Sequence, residues 1–106
     1  MLSSSRGIRP LKESALRDFI KRALDRGWVR ETFHSDVERA ERNISHDDIR
    51  FGLEADWTLL EIREPSERYH KGFSYKLKTI DLEDCELILV VCPDLQSHTL
   101  RVATKF

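Results

Sequence analysis

Hydrophobic residues recur along residues 10–26 at the spacing of one helix face. They fall three or four positions apart, as a 3.6-residue period requires: Leu16, Phe19, Ile20, Ala23 and Leu24. Pro10 suits the first turn of a helix, where its missing N–H is not needed. Arg26 followed by Gly27 is typical of a helix end. The pattern therefore predicts a first helix that begins at Pro10 and ends at Arg26.

Residues 33–54 read as two short helices that join at residues 43–45. Ser45 can accept a hydrogen bond from the start of the second helix, and Asp48 completes an acidic variant of the capping box. The isoleucine before Ser45 and the one after Asp48 can form a hydrophobic staple. The stretch therefore predicts a fixed angle between two helices, the second of which ends near Glu54.

The hydrophobic period changes to two from Trp57 onward, and turn residues separate four stretches: residues 57–62, 73–79, 87–92 and 100–106. In the second stretch, lysines alternate toward water. The third is apolar at odd and even positions alike, which predicts a central strand covered on both faces or nearly so. Short connections favour an antiparallel meander. The sequence thus predicts an α+β domain with three helices on one face of a roughly four-stranded antiparallel sheet.

The length and composition suit a single domain. The chain has 106 residues, of which 40% are hydrophobic and 35% charged, so we expect a loose segment at residues 1–9 and one domain at residues 10–106. No apolar run can cross a bilayer, and no secretory signal begins the chain. Cys85 and Cys92 are predicted to lie on opposite faces of one strand, both reduced and buried. These features predict a cytoplasmic protein without membrane association.

The net charge of −1 conceals an asymmetry. Residues 1–30 carry eight Lys and Arg against three Asp and Glu, whereas residues 31–106 carry ten against sixteen. The positive N-terminal part can approach phosphates. The domain as a whole lacks the basic balance of sequence-independent nucleic-acid binders. Composition alone therefore argues against a dedicated nucleic-acid binder.

A candidate for proton transfer lies where the first of the two joined helices begins. Histidine side chains titrate near neutral pH, and Arg39 and Arg42 follow His34 on later turns. Cleavage of RNA by its own 2′-hydroxyl needs proton transfer and positive charge at the phosphate. A guanidinium such as that of Arg42 binds two phosphate oxygens at once. Other roles remain open. His34 can be a capping residue, and Arg42 can pair with Glu38. Arg39 also suits a solvated face.

A second candidate surface opens the second predicted strand. Three side chains there can stack a base and hold phosphate, or simply form an exposed strand start: Tyr69, His70 and Lys71. Thr104 lies in the last strand, where threonine is also a good strand former. His46 and His98 read as surface residues. The spacing of His and Cys predicts no zinc site.

The motif at the helix junction resembles that of a known family. It consists of His34, Arg42 eight residues later, and then Asn43-Ile44-Ser45-x-x-Asp48-Ile49. This order resembles the domain-of-unknown-function family 4258, a branch of the RelE/BrnT-like toxin group. Later stretches resemble that family's small β-meander and its last strand with threonine ahead of an aromatic residue: residues 72–77, 87–91 and 102–106. The resemblance covers about residues 12–106.

The resemblance implies a RelE-like fold with helices against an antiparallel sheet. It also implies kinship with endoribonuclease toxins that need no metal or cofactor, act on RNA or the ribosome, and are neutralised by an antitoxin. By position, His34, Arg42 and Thr104 would line the site. Glu38 stands where the family has arginine, so an anion replaces a cation there. Two functions follow: a toxin-type endoribonuclease, or a non-catalytic protein-binding module of the same fold.

Overall fold

The computed structural model describes residues 9–31, 44–64 and 72–105. Within these residues the chain forms two helices and five strands: α1 Glu13–Arg26, β1 Val29–Glu31, α2 His46–Glu54, β2 Thr58–Arg63, β3 Ser74–Ile80, β4 Glu86–Asp94 and β5 Thr99–Lys105. The protein is therefore α+β, which confirms the coarse prediction. The helix expected ahead of residue 43 lies outside the described residues.

The sheet is mixed and has the strand order β1-β5-β4-β3-β2. Strands β2 to β5 form the expected antiparallel meander. β1 adds a fifth strand parallel to β5, with Val29 opposite Leu100. The prediction of four antiparallel strands is therefore wrong in this detail. Three residues are too few to show a period of two, and the partner of β1 lies at the far end of the chain.

The core lies between the two described helices and one face of the sheet. All five residues of the predicted apolar stripe on α1 are buried. The sheet meets them with alternate side chains of three adjacent strands, all at most 2% exposed: Tyr75, Leu77, Leu87, Leu89, Val91, Leu100 and Val102. This one-sided packing leaves the opposite sheet face without either described helix.

The first helix begins three residues later than predicted, at Glu13. Lys12 is extended at φ −68° and ψ 156°, and the backbone N–H of Leu11 donates to the Tyr75 hydroxyl at 2.7 Å. That bond ties the approach to the helix to the sheet. The predicted end is confirmed, because Gly27 adopts φ +75° and the N–H of Trp28 reaches the Ala23 carbonyl at 2.8 Å.

The second helix begins with the predicted capping box. The Asp48 N–H donates to Ser45 Oγ at 3.1 Å, and the Ser45 N–H donates to the Asp48 carboxylate at 2.9 Å. Ile44 and Ile49, the two staple residues, are 8% and 1% exposed. The second carboxylate oxygen of Asp48 accepts the N–H of Leu82 at 3.0 Å. One side chain thus fixes the start of α2 to the turn between β3 and β4.

Gly52 lets α2 lie directly on the sheet. A Cβ at this position would come within 2.8 Å of Thr79 Cγ2 and 3.1 Å of the Ile80 carbonyl oxygen. The Thr79 hydroxyl donates to the Gly52 carbonyl at 2.7 Å in this contact. A glycine that weakens the helix on its own therefore permits close helix–sheet packing.

β4 occupies the central position expected for residues 87–92, between β3 and β5. Its coverage is one-sided. Leu87, Leu89 and Val91 are buried against the helices, but Ile88 and Val90 are half-buried on the opposite face. Burial on both faces is therefore only partly confirmed, because neither described helix packs on that second face.

The two cysteines do not share a strand. Cys85 is exposed and precedes β4, and Cys92 is half-buried within it. The Asp81 carboxylate accepts the N–H groups of Glu83 and Cys85, both at 2.9 Å, which holds residue 85 in the turn. The prediction that both thiols are buried is therefore wrong for Cys85. Both are unbridged, as predicted.

Candidate functional site

Most residues of the predicted site lie outside the described part of the chain: His34, Arg39, Arg42, Tyr69, His70 and Lys71. Thr104 is described as part of β5, where its backbone pairs with Leu89. The arrangement of these residues around one phosphate therefore stays a prediction. The described residues bring a different group of cations together.

This group lies on the sheet face opposite the two described helices, which we call the open face. Along β3, Tyr75 and Leu77 point into the core, so Lys76 and Lys78 lie on the open face. The register places Val90 opposite Lys76 and Ile88 opposite Lys78. Two lysines thus stand beside apolar side chains of the central strand.

Two arginines extend the open face toward β1. Arg101 lies opposite Cys92 of β4 on one side and opposite Arg30 of β1 on the other. Both arginines are exposed. Like charges directly opposite each other destabilise a sheet. An anion bound between Arg30 and Arg101 would offset this repulsion, since both guanidinium groups could share it.

Few described anions neutralise these cations. Lys78 approaches Glu86 at 3.9 Å. Among the described residues, no ion pair within 4.0 Å involves Arg30, Arg101 or Lys76. Arg30 and Arg101 are therefore available for an external anion, and so is Lys76, which stands opposite Glu61 of β2 but forms no ion pair with it.

The Asp94 carboxylate interacts with Arg101, but its hydrogen bonds are made within the turn that follows it. The Ser97 hydroxyl and backbone N–H lower the pKa of Asp94, with a smaller contribution from Arg101. The N–H groups of Gln96 and Ser97 donate to this carboxylate at 3.1 and 3.2 Å. Asp94 thus holds the β4–β5 turn, and its charge is satisfied mainly by that turn.

The floor of the open face is apolar and half-buried. It is formed by four side chains of β4 and β5 between the cations: Ile88, Val90, Cys92 and Ala103. Burial raises the pKa of the Cys92 thiol, against a smaller opposite effect of Arg101. The thiol is therefore neutral at physiological pH and unsuited to nucleophilic attack. The open face thus combines cations with an apolar, half-buried floor.

A groove of about 530 Å³ on the other side of the molecule runs between α1, α2 and the start of β2. Arg17 covers the Trp57 ring at 3.9 Å, donates to the Trp57 carbonyl at 2.7 Å and pairs with Glu13 at 3.0 Å. Arg50 donates to the Leu24 carbonyl at 3.2 Å. Both arginines of this groove are bound to protein groups, so they join α1 to α2 and β2.

The two histidines read as surface residues are both exposed, and each has a structural contact. His46 Nδ1 lies 2.6 Å from a carboxylate oxygen of Glu31, whose side chain is 12% exposed. The His98 ring lies 4.8 Å from the Trp28 ring. The first contact ties the start of α2 to the end of β1, which sequence reasoning missed because β1 itself was not predicted.

Two further features are absent from the described residues. No group of three or more His, Cys, Asp or Glu residues there is placed to hold a metal ion. Neither described helix is long and apolar enough to cross a membrane.

Comparison with protein-family models, curated proteins and solved structures gives no match for this chain. The fold and the site define it as an α+β domain with a cationic sheet face whose floor is half-buried. The sequence predicted that the lysines of β3 face water. It gave no signal for the neighbouring arginines, because their proximity depends on the pairing of β1 with β5.

Proposed function

We propose that the protein is an RNA-directed RelE-like domain of the toxin type, which binds the RNA backbone on its open face. The observation that carries this proposal is the side-by-side placement of Arg30 and Arg101. Lys76 lies nearby on the same face, one strand beyond β4. These cations suit successive phosphates of one RNA strand better than a single small anion, because they lie on three different strands of the sheet: β1, β5 and β3.

The low net charge of the chain argues against RNA binding, but the local charge of the open face favours it. A net charge of −1 gives little long-range attraction to RNA. Contact with phosphates depends on cations at the surface that are not already paired, and the open face supplies these. We expect binding to be weak at physiological salt and to strengthen steeply as salt is lowered.

The catalytic step of the proposal rests on the resemblance. His34 would transfer the proton of the attacking 2′-hydroxyl or of the leaving oxygen. Arg42 would stabilise the phosphate charge. The resemblance also assigns Thr104 to this site, although its backbone pairs with Leu89, whose side chain is buried on the helix side of the sheet and not on the open face. Arg39 and residues 69–71 would hold the neighbouring nucleotides. The reaction needs no metal, and an antitoxin would be the partner that blocks it.

The experiment compares RNA binding by the parent and by the double variant Arg30→Gln with Arg101→Gln. A single-stranded RNA is titrated at several salt concentrations. Loss of two phosphate contacts should weaken binding about tenfold or more at low salt and reduce the slope of log affinity against log salt by roughly 1.4.

The matched control removes two exposed cations from α1, with Lys21→Gln and Arg22→Gln. The net charge changes equally, so general electrostatic attraction falls equally. Binding that weakens as much in this control as in the open-face variant would remove the open face as the RNA site. The non-catalytic protein-binding module, the other function left by the sequence, predicts no measurable RNA affinity in any of these proteins.

A further inference from the structure

β2 forms one edge of the sheet made by the described strands. Five of its six residues are exposed, and they include the apolar Leu60 and Ile62 at 48% and 40%. The outer N–H and C=O groups of an edge strand are a template for pairing with another strand. Leu60 forms an irregularity between Leu59 and Glu61, after which the pairing with β3 is regular through Arg63. The regular part of the edge thus begins at Glu61.

The charges on this edge select one partner. Glu61 and Arg63 stand two residues apart on the same face, and their side chains pair at 3.1 Å within the chain. Consider an antiparallel pair in which Ile62 of one copy lies opposite Ile62 of the other. Glu61 of the first copy would then face Arg63 of the second, and Arg63 of the first would face Glu61 of the second. We propose that β2 pairs with β2 of a second copy of this chain in this register.

Neighbouring registers are opposed by the same charges. Centring the pair on Glu61 would put the two Glu61 carboxylates opposite each other, and centring it on Arg63 would do the same for the arginines. Like charges directly opposite are destabilising. Charges on an edge strand usually prevent association, but here their spacing favours one self-complementary arrangement.

The resulting dimer has its two-fold axis perpendicular to the sheet. The sheets of the two copies would join, and their open faces would lie on the same side. The paired segment is short, so the contact is smaller than the roughly 1,000 Å² of a stable interface. The dimer is therefore weak and forms at high protein concentration. This inference does not depend on RNA binding.

The test measures dimerisation by sedimentation velocity at rising protein concentration and low salt. The variant Glu61→Arg places arginine opposite Arg63, and Arg63→Glu places glutamate opposite Glu61, so each alone should dimerise roughly tenfold or more weakly. An equimolar mixture of the two variants should form a heterodimer, since every facing pair is then opposite in charge. The double variant should recover the dimerisation of the parent.

Glu83→Arg serves as the control, because it reverses one exposed charge in the turn before β4. It should dimerise like the parent, and circular dichroism should show every variant folded. A parent that stays monomeric at all concentrations overturns the proposal. So does a mixture that associates no better than its two components, or a dimer that persists unchanged in both single variants.

Discussion

Single residues show most clearly where local sequence rules and tertiary packing disagree. Helix propensity treats Gly52 as a weak point in α2, since glycine costs about 1 kcal/mol relative to alanine in a helix. The structure shows α2 so close to β3 that a Cβ at this position would meet Thr79 and the Ile80 backbone. The contact belongs to the packed molecule, so propensity alone could not reveal it.

Gly52→Ala should therefore destabilise the protein. The gain in helix propensity is about 1 kcal/mol, but overpacking at a tight contact typically costs about 1–3 kcal/mol, and the Thr79 bond to the Gly52 carbonyl would also be strained. We expect a net loss in the free energy of unfolding, measured by urea denaturation. Ala15→Gly at an exposed site of α1 is the control for propensity. A Gly52→Ala protein more stable than the parent would contradict the close contact.

The capping box makes one carboxylate a pH-dependent contributor to stability. The backbone N–H of Ser45 lowers the pKa of Asp48 below its ordinary value of 3.8, with help from the Leu82 N–H and the Ser45 hydroxyl and against the effect of burial. A carboxyl with a lowered folded-state pKa stabilises the fold above its unfolded pKa. That stability is lost as the pH falls through the folded pKa.

Asp48→Asn should thus lower the free energy of unfolding by about 1 kcal/mol at pH 7, the usual scale for a helix cap. The difference from the parent should shrink as the pH falls below about 4, because the parent then loses its charge as well. Asp47→Asn removes a charge from the same helical turn and is the control. A difference that does not change between pH 7 and acid would mean that the charge on Asp48 does not matter.

At the scale of helices and strands, the strongest periodic patterns were sufficient to predict the elements that they belong to. The apolar stripe of α1, the cap of α2 and the order of β2 to β5 follow from spacing and turn residues. The start of α1 was predicted too early because Pro10 is a good first helical residue, but the bond from Leu11 to Tyr75 ties this stretch to the sheet. β1 was missed because its pairing is parallel, short and distant in sequence.

The missed strand also decides how much of the candidate site was predictable. Lys76 could be placed toward water from the alternation of β3 alone. Arg30 and Arg101 lie far apart in the chain, and only the parallel register of β1 and β5 makes them neighbours. Periodicity describes one element at a time, so it cannot supply such a pair. The residues that the resemblance assigns to catalysis lie outside the described residues, apart from Thr104.

In the whole molecule, two surfaces differ in whether their cations are already bound to other protein groups. The arginines between α1 and α2 are bound to carbonyl and carboxylate groups that join the elements. Three cations of the open face lack such partners among the described residues. Average composition hid this difference, because it counts charges without regard to whether they are paired.

The function that we propose requires the protein to cleave RNA without a metal. Purified protein should be incubated with RNA, both free and ribosome-bound, in excess chelator, with the parent compared with His34→Ala, Arg42→Lys and the open-face double variant. Circular dichroism is the control for folding. Arg42→Lys should also lose activity, since an ammonium cannot make the two parallel bonds of a guanidinium to phosphate.

The deciding measurement is the rate of strand cleavage by the parent relative to His34→Ala. We predict cleavage by the parent that leaves a 2′,3′-cyclic phosphate, as attack by the 2′-hydroxyl requires, and a rate at least about 100-fold lower for His34→Ala. The open-face double variant should need more RNA to reach the same rate. Absence of cleavage by the parent on every RNA, or equal cleavage by His34→Ala, would contradict the proposed function.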